Sequence, residues 1–586
     1  MTNGGNDMGM TPQEITYVRG FWEELEQAAA ALRGSALPDL REEDFFLFQR
    51  TGNRLVYENA YFGRRKHLTV FGILAEFGKR QEDIDALAAV MEAVCEERFW
   101  ALPAHVDFNA LDETTIDLFA AETAQTLAEL LVIFGETFPK ELVEKVQREI
   151  LRRVLTPFCT LAAPYSWWET DRCNWSAVCA GSVGIAAIYM DRMGKLPKEW
   201  KEPCIRRVCG AMKCYLGGME EDGACTEGLG YFSYGMSYYT AFAELLYEES
   251  GQSVDLMARP KCGRIAAFQE KCYFGGGVSV SFSDGSDRER FLPGLTAFLA
   301  HKFNGIRTPD YAAARGLEQD ACYRWLTNER NIRWLMRYGG QTGANTREPS
   351  YNLLSSAQWM ICKDRNGNGM AAKGGHNDEN HNHNDVGHFL CVFRGEMLLT
   401  DLGAGEYTRE YFSDKRYDIL CNRSLGHSVP LINGCEQCAG REYRAERFVW
   451  EEAARMLRIS FAAAYPQGLV QELERTIFFS AERMAQEDAM WMVVTDRFVP
   501  SEQTRSFTEN LVTPFPVSVE ENDNDTCVIK IQGQHGFCRI RTANVSDLRI
   551  IPKEHRLHDG ARTTVNLIQW EPSDGVQAVR MEISCG

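Results

Sequence analysis

The spacing of apolar residues changes once along this chain, and that change limits the folds open to it. Over residues 11–335 apolar side chains recur at helical spacing, as in Leu68, Phe71, Leu74 and Phe77, then Ile84, Leu87, Val90, Met91 and Val94, then Leu118, Ala121, Leu127, Leu130 and Leu131. Each segment has one apolar face, and short breakers such as Leu196-Pro197 and Gly217-Gly218 separate them. A dozen or so helices joined by short turns must pack on their sequence neighbours, and with no strict repeat in sight a closed ring of hairpins is preferred over a solenoid. Beyond Tyr351 the period becomes two, with a hairpin signal at Arg394-Gly395-Glu396 between two short apolar runs. Further β-type runs follow, among them 447–450, 456–461, 469–479, 491–499, 527–532, 537–543, 563–570 and 576–583, which indicates an antiparallel sandwich or barrel. The expected organisation is a multidomain α and β chain: a helical (α/α) toroid over residues 1–340 and an antiparallel β-sandwich over 341–586, joined near 338–350.

Composition narrows the partners. A chain of 586 residues with 45% hydrophobic and 25% charged residues is globular and has room for more than one core. Its formal charge of −19 argues against nucleic acid, which needs a Lys/Arg surplus on one face. The same charge repels a long polyanion, so an anionic substrate is expected to be short and to enter a locally basic cleft. No apolar run long enough for a membrane span occurs, and residues 1–10 carry neither a basic residue nor an apolar core, so no signal peptide and a cytoplasmic location are expected. The 19 cysteines are scattered singly, which fits reduced thiols, and Cys173, Cys179, Cys204 and Cys209 read as small core residues. The sequence leaves homo-oligomerisation open.

Three segments carry chemistry. Four of the 11 histidines crowd into residues 376–388, where His381, His383 and Asp385 alternate just upstream of a strand and, if extended, project to one side. His383 with Asp401 and His427 makes a donor set suited to zinc, and His381 is left for the reaction. The second segment, 167–179, opens a buried helix with Trp168, Asn174 and Trp175, offering aromatic faces and an amide at a helix N-terminus. The third, DGACTEGLGYFSYG at 222–235, supplies Glu227, Tyr231 and Tyr234; a phenol can donate a proton and, beside cations, accept one. His105, at a helix exit, is a further candidate. Taken singly, the histidine segment could be a hydrated loop whose rings only make hydrogen bonds, the Trp and Tyr segments could merely pack, and His105 could be structural.

In this order, the constellations resemble the heparinase II/III superfamily of polysaccharide lyases over most of the chain. The markers are the Asn174 helix start, the DGxxxEGxxY segment at 222–231, the HxHxDxGxF segment at 381–389, and a later Arg-Ser segment, Arg423 to His427. The resemblance implies an incomplete (α/α) toroid followed by a sandwich, and β-elimination on a uronate-containing glycan. Carried over by position, it implies that Asn174 neutralises the uronate carboxylate, that Tyr231 is the acid with Tyr234 as fallback, and that His381 assists at the uronate. It also implies that His383, Asp401 and His427 hold a mainly structural zinc. Glu227 orients the loop or a sugar hydroxyl, and Trp168, Trp175 and Arg423 contact substrate.

One departure matters. Several lyases of the family place a histidine that serves as base directly after the asparagine, and here that position is Trp175. Tyr231 could act alone in a syn elimination, favouring a glucuronate-type substrate, with His105 as substitute base. Two rivals stay open: a hydrolase on the same toroid, using a carboxylate pair such as Asp222 with Glu227 or Glu169 with Asp171, and a non-catalytic carbohydrate-binding protein.

Overall fold

The computed structural model describes residues 9–343, 348–480, 489–523 and 526–586; the N-terminal stretch 1–8 read for a leader, and residues 344–347 of the expected junction, lie outside them. Among the described residues no helix is long and apolar enough to cross a membrane. The chain forms an (α/α) toroid and a C-terminal set of antiparallel sheets. The two compact units are not contiguous stretches. The helical unit takes the chain up to Met219 together with Tyr231–Gly263 and Arg290–Gly343, while Glu220–Gly230 and Arg264–Glu289 belong to the β unit. Hydrogen bonds hold these two excursions there. The Asp222 carboxylate accepts the backbone N–H groups of Ser356 and Ala357 (2.6 and 3.1 Å), and the Lys363 ammonium donates to the carbonyls of Glu270 and Tyr273 (3.1 and 2.9 Å).

Within the helical unit, the helices Leu118–Phe134, Asn174–Arg192 and Trp325–Tyr338 are buried on nearly every face, as inner-ring helices must be. Lys140–Ile150 and Lys198–Gly218 bury one face only. Direction can be read from contacts. A Cβ on Gly181 would lie 3.0 Å from the carbonyl oxygen of Tyr238, and one on Gly184 would lie 2.5 Å from the Phe242 ring, so the Asn174 helix packs against the helix Leu229–Glu249 through its two glycines. Both partners advance together, so the two helices run parallel. Asn174 and Tyr231 each precede their contact by seven residues, about 10 Å of helix, and therefore sit at the same end. The Leu118 helix shares this direction: Trp168 donates to the Ile116 carbonyl at its start (3.0 Å), and Tyr189 to Glu129 farther along (3.3 Å). So does the Trp325 helix, whose preceding residue Arg324 lies 3.4 Å from Glu122 while Arg330 reaches Glu129 at 2.5 Å. Four helix N-termini thus converge, and their aligned peptide dipoles favour negative charge there.

The β unit has a five-stranded sheet (Ser350–Leu354, Trp359–Lys363, Gly369–Lys373, Phe389–Phe393, Glu396–Leu399), an eight-stranded sheet and a four-stranded sheet, every pairing antiparallel. The expected hairpin is present, Phe393 pairing with Glu396 across Arg394 and Gly395, both at positive φ (46° and 74°) as a two-residue turn that matches strand twist requires. One core, with Met360, Phe389, Phe393, Ile459, Phe461, Ile477, Met492 and Ile583, is shared by the five- and eight-stranded sheets. Strand ends from these sheets carry the histidine-bearing loops.

Candidate active site and metal centre

At the shared end of the inner helices, Asn174 is the first residue of its helix and 4% exposed. Among the described residues no hydrogen bond holds its side-chain amide. Beside it, half-buried Trp175 meets the His105 ring edge-on at 4.9 Å and Trp167 at 5.0 Å. His105 is a fixed ring: its Nδ1 lies 2.7 Å from Asp117 Oδ2 and it stacks on Phe119. Asp117 caps the Leu118 helix and also accepts the N–H groups of Leu102 (3.0 Å) and Ala120 (2.7 Å). A carboxylate oxygen can only accept from the ring, so His105 Nδ1 is the donor and Nε2 is turned away from Asp117.

Tyr231 is half-buried in the first turn of its helix. Tyr234, one turn on, is committed elsewhere. Its hydroxyl donates to Glu122 and the Arg324 guanidinium lies 4.2 Å over its ring. Burial, and then the Glu122 charge, pushes its phenol well above the ordinary value, while burial lifts the Glu122 carboxyl to about 7 against the pull of Arg324. A proton so held is a poor one to deliver to a leaving group.

Two expected sugar contacts are placed differently. Trp168 is 1% exposed, stacked on Phe158 with its indole N–H on the Ile116 carbonyl, so it is a core residue; the exposed indole is Trp167, at 53%. One step along the 3-10 turn at Trp167–Glu169 rotates the side chain by about 120°, enough to turn one indole to the core and its neighbour to solvent. Arg423 is gripped by Glu436 through Nε (2.9 and 3.0 Å) and its terminal nitrogen, which ties the segment bearing His427 rather than presenting a guanidinium. Glu227 is buried and accepts from Asn380 at 3.4 Å. The carboxylates a hydrolase would use are occupied: Glu169 by Arg207 (2.7 and 2.8 Å), and Asp222 by three backbone N–H groups.

In the β unit, residues 378–388 form a loop rather than a strand, so the expected one-sided alternation of His381, His383 and Asp385 does not occur. His381 takes a left-handed backbone (φ 57°) and keeps 20% side-chain exposure, while His383 and Asp385 turn inward and are fully buried. What brings the two histidines together is Asp284, which no local pattern marks: Oδ2 receives His381 Nδ1 (2.5 Å) and the Tyr407 hydroxyl (2.9 Å), and Oδ1 receives His383 Nε2 (3.0 Å), the Tyr411 hydroxyl and Arg416 (3.4 Å). Burial alone would raise this carboxyl, but the bonds from His381 and His383 hold it well below the usual range.

His383, Asp401 and His427 converge as the sequence suggested, and Asp385 joins them; one ligand atom from each lies within 4.8 Å of all the others, all four residues buried. The hydrogen bonds behind them set the tautomers. His427 Nε2 donates to the Cys421 carbonyl (2.8 Å) and His383 Nε2 to Asp284, leaving both Nδ1 lone pairs inward. Ser428 N–H donates to His388 Nδ1 (2.9 Å), so the His388 hydrogen is on Nε2, 3.3 Å from Asp401 Oδ2; His388 backs a ligand and is not one. His383 Nδ1, His427 Nδ1 and Asp401 Oδ2 are buried without a hydrogen-bond partner. Ligands at about 2.1 Å around a tetrahedral ion are about 3.4 Å apart, and His427 Nδ1 stands 3.4 Å from Asp401 Oδ2 and 3.9 Å from Asp385 Oδ2. Two imidazoles and two carboxylates fit a divalent metal, and Lys373, 2.7 Å from Asp385 Oδ1, balances part of the remaining charge.

Without metal this cluster makes stability depend on pH. Burial lowers His388 to about 3 and also lowers His383. Both are below their unfolded value of about 6.5, so on acidification the unfolded chain takes up protons first and stability is lost as pH falls from 6.5 towards 3. His427 works the other way, since Asp401 and Asp385 outweigh burial and raise it; its contribution is present below 6.5 and lost as pH rises through its folded value. With two rings lowered and one raised, the thermal midpoint of chelator-treated protein is expected to fall from pH 7 to pH 4. A midpoint that is flat across that interval contradicts the burial argument.

No protein-family model matches the sequence, and no curated protein matches it. Solved structures do. Heparinase III is similar over 98% of this chain and 92% of that one (12% identity, TM-score 0.58). The chondroitin AC lyase of Streptomyces coelicolor A3, solved with chondroitin sulphate, is similar over 99% and 80% (10% identity, TM-score 0.52), and a mutant heparan sulfate lyase from Pedobacter heparinus over 92% and 74% (12% identity, TM-score 0.50). At these identities the likeness is one of fold.

Proposed function

Starting from a chain with the fold of the heparinase III and chondroitin AC lyase structures, we propose that this protein is a lyase that cleaves uronate-containing oligosaccharides by β-elimination. The observation that carries the reading is the gathering of an unbonded amide (Asn174), a half-buried phenol (Tyr231) and an oriented imidazole (His105 on Asp117) at the end where four helix dipoles converge. That end suits an anion despite the net charge of −19. The two neighbours named for chondroitin and heparan sulfate support a glycosaminoglycan-like substrate.

In this reading the Asn174 amide donates to the uronate carboxylate, drawing charge off it so that C5–H becomes acidic. The C5 proton passes to a base, the C4–O4 bond breaks, its electron pair leaves with O4, and Tyr231 protonates that oxygen as the C4=C5 bond forms. Donors fixed in advance at the developing enolate supply much of the rate. Tyr231 serves as both base and acid in a syn elimination on glucuronate-type sugars, and His105 Nε2 is the base available in place of the imidazole that Trp175 displaces. The family resemblance gives His381 a part in the reaction, and Asp284 orients its ring. Zinc bound by His383, Asp385, Asp401 and His427 would neutralise their clustered charge and pin three loops of the β unit. The purified protein is expected to hold about one zinc per chain by elemental analysis, and His427→Ala to hold none; a metal-free, fully stable wild type would refute the site.

The test of the activity is a panel of uronate oligosaccharides followed by the ultraviolet absorbance of the unsaturated product and by mass. Fragments whose masses sum to that of the substrate are expected. Fragments carrying an added water would establish a hydrolase, and tight binding without cleavage would establish a carbohydrate-binding protein.

A further inference from the structure

Asp284 is the single carboxylate between two histidines with different assignments, and each of its oxygens serves one of them. Oδ2 holds His381 Nδ1 with the Tyr407 hydroxyl; Oδ1 holds His383 Nε2 with the Tyr411 hydroxyl and Arg416. The side chain is wholly buried, so no water can substitute for a lost donor without rearrangement. His383 presents its other nitrogen to the Asp385, Asp401 and His427 donors. His381 has a left-handed backbone, a conformation a non-glycine residue keeps only when its surroundings over-determine it, and the bond to Asp284 is one such constraint. We infer that Asp284 is a positioning residue that couples metal occupancy at the His383 site to the orientation of His381. A metal on His383 Nδ1 fixes that ring, the ring fixes Asp284 through Nε2, and Asp284 fixes His381 through its second oxygen. The metal is then more than a staple for the fold, because its presence is registered at a side chain that does not ligate it. This inference rests on the reading above for the use made of His381, but the coupling itself can be observed without turnover.

The experiment uses the full chain with nitrogen-15-labelled histidine. The His381 Nδ1–H resonance is assigned by its loss in His381→Gln and followed as zinc is added to chelator-treated protein. Zinc is expected to move this resonance in the wild type and to leave it in place in Asp284→Asn, whose zinc affinity falls by about 10- to 100-fold, as for loss of a partner behind a metal ligand. Two milder variants guard against misfolding. Tyr411→Phe, on the His383 side, weakens zinc; Tyr407→Phe, on the His381 side, leaves zinc affinity unchanged but broadens the His381 resonance. A wild-type His381 signal that ignores zinc, or an Asp284→Asn protein that binds zinc as the wild type does, overturns the coupling. Absence of lyase activity on every uronate tested would remove the functional reading and leave this result standing, whereas activity with a zinc-insensitive His381 would remove the coupling alone.

Discussion

Tyr231→Phe is expected to lower kcat by about 100- to 10,000-fold, the usual worth of a positioned acid or base, while KM and the thermal midpoint change little. The substitution removes one oxygen from a half-buried ring in the first turn of its helix and leaves the ring itself to pack. Its neighbour provides the control. Tyr234→Phe deletes a buried donor to Glu122 beside Arg324, so its effect should fall mainly on stability, by about 1–3 kcal/mol for the acceptor left unsatisfied. If turnover survives in Tyr231→Phe and vanishes in Tyr234→Phe at unchanged stability, the acid lies one helical turn farther along.

The largest stability effect is expected at Arg475. This side chain is 0% exposed in the middle of the β unit, its Nε donating to Asp496 Oδ1 at 2.7 Å and one terminal nitrogen donating to the carbonyls of Gly387 and Ser428 at 2.8 and 2.6 Å. Burial pushes nearby Glu509 well above the carboxylate range, and it stands 3.8 Å away, whereas Asp496 takes Arg475 on both of its oxygens and is the direct partner. Removing the cation strands a buried carboxylate, and Arg475→Met should cost about 3–5 kcal/mol. The two carbonyls it releases lie two residues after Asp385 and one after His427, so metal content should fall with stability. Arg475→Met combined with Asp496→Leu should recover much of the loss, since an apolar pair can replace a buried ion pair at little cost. Thermal denaturation and elemental analysis decide the matter; a single mutant within about 1 kcal/mol of wild type, inside the range of surface pairs, would show that Arg475 does not brace the loops.

Much of the architecture was legible because burial leaves a periodic trace. The apolar spacing around Leu118 to Leu131 became one buried helix, and the run 389–399 became the hairpin it suggested. The strand Phe507–Thr513 left no such trace. It is buried on both faces yet carries the polar residues Thr508, Glu509 and Asn510, so neither alternation nor an apolar run marks it. The donors His383, Asp401 and His427 were legible as residue types in a dense segment, and Asp385 stood among them in the sequence before the structure added it to the set. The two tryptophans at 167 and 168 were not separable in sequence, since only the turn they occupy decides which one faces the core.

By itself the sequence determined the kind of most elements, the order of helices before strands, and the supply of amide, phenol, imidazole and carboxylate groups. Those are properties of neighbours along the chain, where spacing reports which side is buried. Only the tertiary structure decided which carboxylate serves which histidine: Asp117 for His105, twelve residues away, and Asp284 for His381 and His383, 97 and 99 residues away. A buried charge must find its partner somewhere, but the cost of closing a loop rises so slowly with its length that a distant segment can supply the partner about as readily as a near one. Local pattern therefore carries no record of the choice.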